Sequence, residues 1–401
     1  MKVRNTVVMA IVLLVTSFFI YGSLSHAREV RGVTDNSVKI GVILDQTGPA
    51  ASITVPCTQA IRTYIRHVND SGGVHGRQIE VSVEDDRYSI PATIAAYKKL
   101  VFKDKIFAFI GPGSGGFVRI LWKKIQADKL PNISVVFPEI AVNPFKRYIF
   151  TTSDTYEGQV RVLIDYIVKD YKLKNPRIAL VYPDTETGKI DMRPAIARLK
   201  KYNLEPVTTE IFMAGAIDAS SQVMNMKKQG ANAVLHVGCI TASAMTVIRD
   251  LRKFGLKIPA FNSWGSMLDE KVHTLGEYAK RFYGVHAIAP WYGEGPGVAS
   301  MREITLKYNP GTEKPYRGTL YTHGWVLATV LVEGMKRAGR NLDPETLVDA
   351  LETVKDFDTG GLCNPLTYSS TSHKGGDSWR IYRSDPVKER YVPITGWRKS
   401  E

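Results

Sequence analysis

From Ser37 onward, strand-like and helix-like segments alternate along the chain, and this constrains its fold more than any other feature. Ser37–Leu44 (SVKIGVIL) reads as a buried strand, closed by a turn at Thr47-Gly48-Pro49. Cys57–Asp70 has helical spacing through Ile61, Tyr64, Ile65 and Val68, and Ser71-Gly72-Gly73 stops it. Gln78–Glu84 alternates as a strand, Pro91–Phe102 follows as a helix, and Ile106–Ile110 as a strand. Phe117–Asp128 is a helix and Asn132–Val136 a strand. The pattern then restarts. Helices are expected at Tyr156–Asp170, Ile190–Tyr202, Ser220–Gln229 and Ala242–Phe254, and strands at Arg177–Tyr182, Glu205–Phe212, Ala233–Val237 and Pro259–Asn262. Two consecutive βα blocks imply two parallel sheets, each with helices on both faces. Gly284–Ala289 adds a strand. Helices at Ala299–Tyr308, Tyr321–Ala338 and Pro344–Val354 and a turn-rich tail from Cys363 to Trp397 are too few for a third domain. They are expected to pack back onto the first two blocks.

Before this pattern lies an export signal. Lys2 and Arg4 form a basic start, Val7–Ile20 is apolar apart from Thr16 and Ser17, and Ser25-His26-Ala27 offers small residues for cleavage after Ala27. The apolar run is shorter than the ~20 residues of a spanning helix. Work outside the cytoplasm, where nucleotide cofactors are scarce, disfavours many enzyme readings. Removing 27 residues from 401 leaves 374, the size of two ordinary domains. Losing Lys2 and Arg4 lowers the net charge from +14 to +12. The basic residues are dispersed, with no run of five, so nucleic acid is not an expected partner. Cys57, Cys239 and Cys363 allow at most one disulfide, with three pairings open. None has metal-ligand spacing and the eight His are scattered, so no metal is expected.

The sharpest local string is Gly111-Pro112-Gly113-Ser114-Gly115-Gly116, between a strand and a helix. It contains GxGxxG, with Glu139 lying 23 residues beyond Gly116. A dinucleotide reading fails on three grounds. This is the third strand of its block, Pro112 removes a backbone N–H, and the compartment lacks the cofactor. What survives is a helix N-terminus suited to an anion, with the Ser114 hydroxyl beside it. No GxSxG or HExxH occurs, and no Asp–His pair is placed around Ser114. Asp85-Asp86 at a strand end is read as solvated or capping a turn, and His323 as packed on an apolar helix beside Trp325. Tyr182, Phe137, Trp264 and Trp291-Tyr292 fall at strand ends, where ligands sit in open α/β sheets, and together favour a partly aromatic cleft.

Several strings in their order and spacing resemble the type I periplasmic binding proteins, specifically the branched-chain amino-acid (Leu/Ile/Val) binding family of ABC transporters. They are VKIGVILDQTGPAA (38–51), GGVHGRQIEVSVEDD (72–86), KLVFKDKIFAFIGPGSGG (99–116), YIFTTSDTYEGQ (148–159), LRKFGLKIP (251–259), THGW (322–325) and TSHKGGDSWRIYR (371–383). The resemblance covers nearly the whole chain after the signal. It implies a two-lobed clamshell with three chain crossovers. One lobe is 37–151 plus 289–354, the other 152–288 plus 355–397. A ligand would bind in the cleft, and closure would present a surface to a membrane permease. The family's carboxylate-binding Ser corresponds to Ser114, flanked by Gly113, Gly115 and Gly116, with Thr47 in the first turn as a further contact. The next ligand segment corresponds to Phe137–Val142 and includes Glu139, without the usual Thr. A ligand-stacking Tyr falls at Thr187, an aromatic position at about Cys239, and the acid that pairs with the ligand's ammonium at Trp264.

A zwitterion needs both a carboxylate pocket and an ammonium partner, since a buried unpaired charge is costly. Ser114 keeps the first. Trp264 removes the second unless Glu139 replaces it. The expected ligand is therefore an organic acid or amide with a sizeable apolar body, aliphatic or aromatic, with an amino acid as the alternative. Ser114, Gly115 and Gly116 would hold its head, and Trp264 and Phe137 its body. The role expected is a monomeric, non-enzymatic, cofactor-free solute-binding component of an importer. Its rivals are a sensory adaptor on the same fold and an extracytoplasmic hydrolase acting through Ser114.

Overall fold

A computed structural model describes the backbone of residues 30–184, 186–213, 215–238, 241–267, 269–311 and 317–400; the side chains of residues 186, 187, 191, 241 and 269–271 are outside that description. The signal segment is likewise outside it. No helix among the described residues is long and apolar enough to cross a membrane.

Two sheets form. The first holds β1 (Ser37–Ile43), β2 (Gln78–Glu84), β3 (Ala108–Ile110), β4 (Asn132–Ser134) and β5 (Ile149–Thr151), all parallel, in the order β2-β1-β3-β4-β5. The second contains β6 (Ile178–Pro183), β7 (Thr208–Phe212), β8 (Ala233–His236), β9 (Ala260–Asn262) and β10 (Phe282–His286). To these the tail adds β11 (Ser378–Asp385), β12 (Arg390–Pro393) and β13 (Arg398–Lys399), giving the order β12-β11-β10-β9-β8-β6-β7 with β13 on β11. The central strands read as continuous apolar runs because helices cover both faces. Ala179, Leu180 and Val181 of β6 are fully buried. At an edge, β2 instead begins with exposed Gln78 and Glu80 on either side of buried Ile79.

The late helices return to the first sheet, as expected. Thr319–Ala338 packs along Ala51–Asp70, with Pro344–Glu352 against it and Pro296–Tyr308 beside Ala51–Asp70. A reciprocal capping box at Asp343 and Thr346 starts Pro344–Glu352. The chain thus passes between the sheets three times, and the passing segments are joined to one another. Thr151 donates its N–H to His373 O (3.0 Å) and accepts from Gly375 N (2.9 Å), while Ala289 N donates to Leu362 O (2.7 Å). Beside them, the fully buried Asp154 carboxylate accepts a charged hydrogen bond from Lys374 (2.8 Å).

Several boundaries differ from the sequence reading. The first long helix begins at Ala51, not Cys57, and carries Pro56 inside it. Its start is held by Asp45, whose carboxylate accepts from the backbone N–H of Gly48 (2.5 Å) and Ala50 (2.7 Å). Pro91–Phe102 and Tyr156–Asp170 each end in a wider π-type turn, at Lys99–Lys103 and Tyr166–Asp170. Strand β5 and the 3-10 stretch Asp269–Arg281, broken at Gly276, had no sequence counterpart.

Candidate ligand-binding cleft

The parallel register brings the carboxyl ends of β1, β3 and β4 to one edge of the first sheet, and those of β6, β8 and β9 to one edge of the second. Between these edges lies a cavity of about 580 Å³, within the usual range of small-molecule sites. Both lobes contribute to its wall. Ile53, Thr54, Cys57, Tyr88, Val135 and Leu320 come from the first, and Tyr156, Gln159, Pro183, Gly238, Ser263 and Trp264 from the second. The helix Gly115–Ala127 begins at this wall.

The glycine string makes that close approach possible. Gly111 has φ +140°, and a Cβ there would sit 2.7 Å from Ile43 O on the neighbouring strand. Ser114 occupies the N-cap position in extended conformation, and Gly113, Ser114, Gly115 and Gly116 all line the cavity. First-turn amides have no intrahelical acceptor, so this end presents donors and the positive end of the helix dipole. The Ser114 side chain lies close to the Tyr88 hydroxyl, near enough to influence its titration.

Trp264 also lines the cavity, directly after β9. Its backbone N–H donates to Gln159 Oε1 (3.1 Å), and its ring stacks on Tyr156 (6.3 Å between centroids, 20°). Phe137, expected to face Trp264 across a ligand, touches it directly (5.6 Å). Only 1% exposed, Phe137 lies behind the wall among Tyr156, Trp264, His323 and Trp379. Those four rings cover its faces, and its carbonyl accepts from Tyr156 N (2.9 Å) where the chain crosses between lobes. His323 is packed against the same ring. Burial, then the neighbouring His286, lowers its pKa to about 3 and keeps it neutral.

Glu139 does not line the cavity; its carboxylate accepts from Asn143 Nδ2 (3.1 Å). Thr47 is also off the wall, because its hydroxyl donates to Asp85 Oδ2 (2.6 Å). Cys239 and the Thr187 side chain lie outside the described residues. Asp85 accepts turn N–H groups from Gln46 (2.8 Å) and Arg87 (2.9 Å), which is the capping role read for it. Asp86 is fully buried rather than solvated. Burial outweighs its bond from Tyr88 N–H and, with Asp45 and Asp85 nearby, raises its carboxyl to about 6. Cys57 and Cys363 are buried, unbridged thiols, each pushed up to about 12 by burial.

Tyr88, Tyr156, Gln159, Cys57 and Leu320 were not singled out as site residues. They come from four separate segments, Tyr156 and Gln159 sharing the helix Tyr156–Asp165, and only the tertiary fold brings them together. Among the described residues, no charged side chain lines the cavity.

This arrangement can enclose a small molecule, anchoring a polar head at the Ser114 end and covering an apolar body. Comparison with known proteins agrees with it. The chain is 25% identical over 330 residues to Leu/Ile/Val-binding protein homolog 1 of Brucella melitensis biotype 1, covering 80% of this chain and 84% of the relative. A branched chain amino acid ABC transporter protein from Thermus thermophilus, solved with bound valine, superposes with a TM-score of 0.84 at 22% identity, covering 92% of this chain and 98% of that one. A fatty acid ABC transporter substrate-binding protein from Thermomonospora curvata gives 0.82 at 22% identity, covering 93% and 95%. The family model described as periplasmic binding protein matches residues 37–389, and with the two sheets, their three crossovers and the cleft between them, this places the chain in the periplasmic binding protein family.

Proposed function

We propose that the chain is the exported substrate-binding component of an ABC importer, and that it closes around an organic acid or amide with an apolar body. The observation that carries the ligand class is the wall of the cavity. Its described polar side chains are all neutral, namely Thr54, Tyr88, Ser114, Tyr156, Gln159, Ser243 and Ser263, with the Cys57 thiol and the Trp264 indole N–H. A carboxylate or amide head is served by hydroxyls and a helix N-terminus without a cation. An ammonium would need an anion, and neither Trp264 nor Glu139 supplies one there. The fold relative described as a fatty acid transporter protein is consistent with an apolar acid. A branched-chain amino acid is the second reading, favoured by the Brucella relatives and the valine-bound Thermus structure.

On this reading the signal is cleaved after Ala27 and the mature chain works as a monomer in the periplasm. The lobes, 37–151 plus 289–354 and 152–288 plus 355–397, close about the three crossings and dock on a permease. No metal, nucleotide or other cofactor has a role. A thermal-shift screen of amino acids against aromatic acids, aliphatic acids and amides tests the ligand class. A ligand at 100 times its dissociation constant adds about 2.7 kcal/mol. Strong shifts with Leu, Ile or Val and none with the acids would replace the first reading by the second. Small-angle scattering with the best ligand should show compaction, and an unchanged radius of gyration at saturation would count against closure.

A further inference from the structure

We propose that Tyr88 is a specificity-determining residue of the cleft, forming with Ser114 a two-hydroxyl receptor for the ligand's polar head, and that Asp86 is its positioning residue. The inference rests on the acid-or-amide reading above. Tyr88 and Ser114 line the same cavity, with their side chains near one another. Two neighbouring hydroxyls can each turn a proton toward one oxygen of a carboxylate. Ser114 alone could serve only one. An amide, with one acceptor oxygen, would use fewer of these donors.

The backbone is shaped to put Tyr88 there. Arg87 and Tyr88 have φ +48° and +53°, two successive non-glycine residues in the left-handed region, where a bulky side chain is rarely found. Such a conformation persists only where the surroundings over-determine it. Here Asp85 Oδ1 accepts from Arg87 N (2.9 Å), Asp86 Oδ1 from Tyr88 N (2.9 Å), and the Asp86 carbonyl from Ser89 N (2.8 Å). Ser89 then caps the next helix through Ala92 N. The Tyr88 ring stands edge-on to Phe117 at 5.4 Å. The carboxylate that holds the Tyr88 amide is itself costly: Asp86 is fully buried, and its Oδ2 has no hydrogen-bond partner among the described residues. A turn serving only to connect β2 to its helix would need neither a buried acid nor a left-handed tyrosine.

The test uses calorimetric titration of the mature protein with 4-methylpentanoate, its primary amide, benzoate, octanoate and leucine. Tyr88→Phe keeps the ring and removes the hydroxyl. It should weaken the tightest-binding carboxylate by about tenfold or more, and the amide by less, with an unchanged melting temperature. Asp86→Asn retains an acceptor for Tyr88 N–H and should keep near-native affinity. Asp86→Ala should lose affinity as Tyr88→Phe does, and adding Tyr88→Phe to it should cost little more. Carboxylate binding by wild type with unchanged affinity in Tyr88→Phe overturns this assignment alone. Equal losses for acid and amide overturn the two-hydroxyl receptor. Wild-type binding of leucine only, or of none of the five, overturns the ligand reading and this assignment with it.

Discussion

Gly324 lies where the helices Thr319–Ala338 and Ala51–Asp70 approach most closely, and its replacement by alanine should destabilise the first lobe. A Cβ at this position would stand 2.2 Å from Cys57 O and 2.9 Å from Cys57 C, where ordinary contact begins at 3.4 Å. These are backbone atoms of a packed helix, so no side chain can rotate away, and the helices must separate by about an ångström. Overpacking of this kind costs about 1–3 kcal/mol, and backbone contacts belong at the upper end. Against it stands the better helix propensity of alanine, worth about 1 kcal/mol. The net loss is about 2 kcal/mol, a fall in melting temperature of roughly 4–8 °C for a cooperative unit of this size. Thermal denaturation followed by circular dichroism measures it. Gly396→Ala, with nothing within 4 Å of its added Cβ, is the control and should melt within about 1 °C of wild type. Because Leu320, Thr54 and Cys57 lie on this helix pair and line the cavity, ligand affinity should fall as well. An unchanged or raised melting temperature for Gly324→Ala would show that the close approach is not rigid and that propensity wins.

Other substitutions probe charges and the anchor. Ser114→Ala should reduce the ligand-induced thermal shift while leaving the melting temperature of the free protein in place; an undiminished shift would remove Ser114 from the site. Arg198 and Asp165 form a buried pair between the helices Glu186–Lys200 and Tyr156–Asp165. Arg198→Ala leaves the Asp165 carboxylate with only the Tyr202 hydroxyl (2.8 Å) and Lys169 (3.9 Å) and should cost about 3 kcal/mol in urea denaturation, and a loss below 1 kcal/mol would contradict this. Glu345 is held at about 2, against an ordinary 4.5, mainly by the Tyr148 hydroxyl, then by Lys129 and Arg147. Its stabilisation is present above pH 4.5 and lost as pH falls toward 2, so Glu345→Gln should flatten the acid limb of stability over that window. Asp86 has the opposite sign. Its carboxyl is raised from 3.8 to about 6, so its contribution is full below 3.8 and lost as pH rises through 6. Asp86→Asn should therefore be more stable than wild type above pH 6, relative to the two proteins compared at pH 4, in pH-dependent melts.

The alternation of strands and helices was legible because central parallel strands are short apolar runs and their helices carry a buried stripe. Gln78–Glu84 agrees residue for residue, since an edge strand shows both faces in its alternation. Three kinds of feature were not legible. The first turns of the helix Ala51–Asp70 were hidden by Pro56, whose missing N–H reads as a stop, while the compensating Asp45 carboxylate lies outside the helix. Ile149–Thr151 is too short to show a period and is a strand only because β4 lies beside it. In the site, Ser114 and its glycines were readable because a strand, a tight turn and a helix start are local features. Trp264 was readable from its place after a strand. Tyr88 was not, because its position depends on two left-handed residues and a buried carboxylate that look like an ordinary acidic turn. Phe137 is the converse case: a strand-end aromatic expected to face ligand packs among Tyr156, Trp264, His323 and Trp379 behind the cavity wall, a burial that its position after a strand does not reveal.

The placement of β11 has a consequence for how the molecule is made. This strand pairs antiparallel with β10, joining Tyr283 to Arg383 and His286 to Arg380. The chain between them builds the last helices of the other lobe before it returns. During synthesis, then, the second sheet stands with β10 as an open edge until nearly the whole polypeptide is available. An unpaired parallel edge of this kind is a template for association with other chains, and a long-range closure of this kind is slow. The lobe that begins second is also the last to be sealed, so an intermediate with an open β10 edge persists through the last stretch of translation, from β10 until β11 is made. That delay would favour a chain destined to be threaded across a membrane, and it would penalise any truncation that removes Ser378–Asp385 with aggregation rather than with mere loss of affinity.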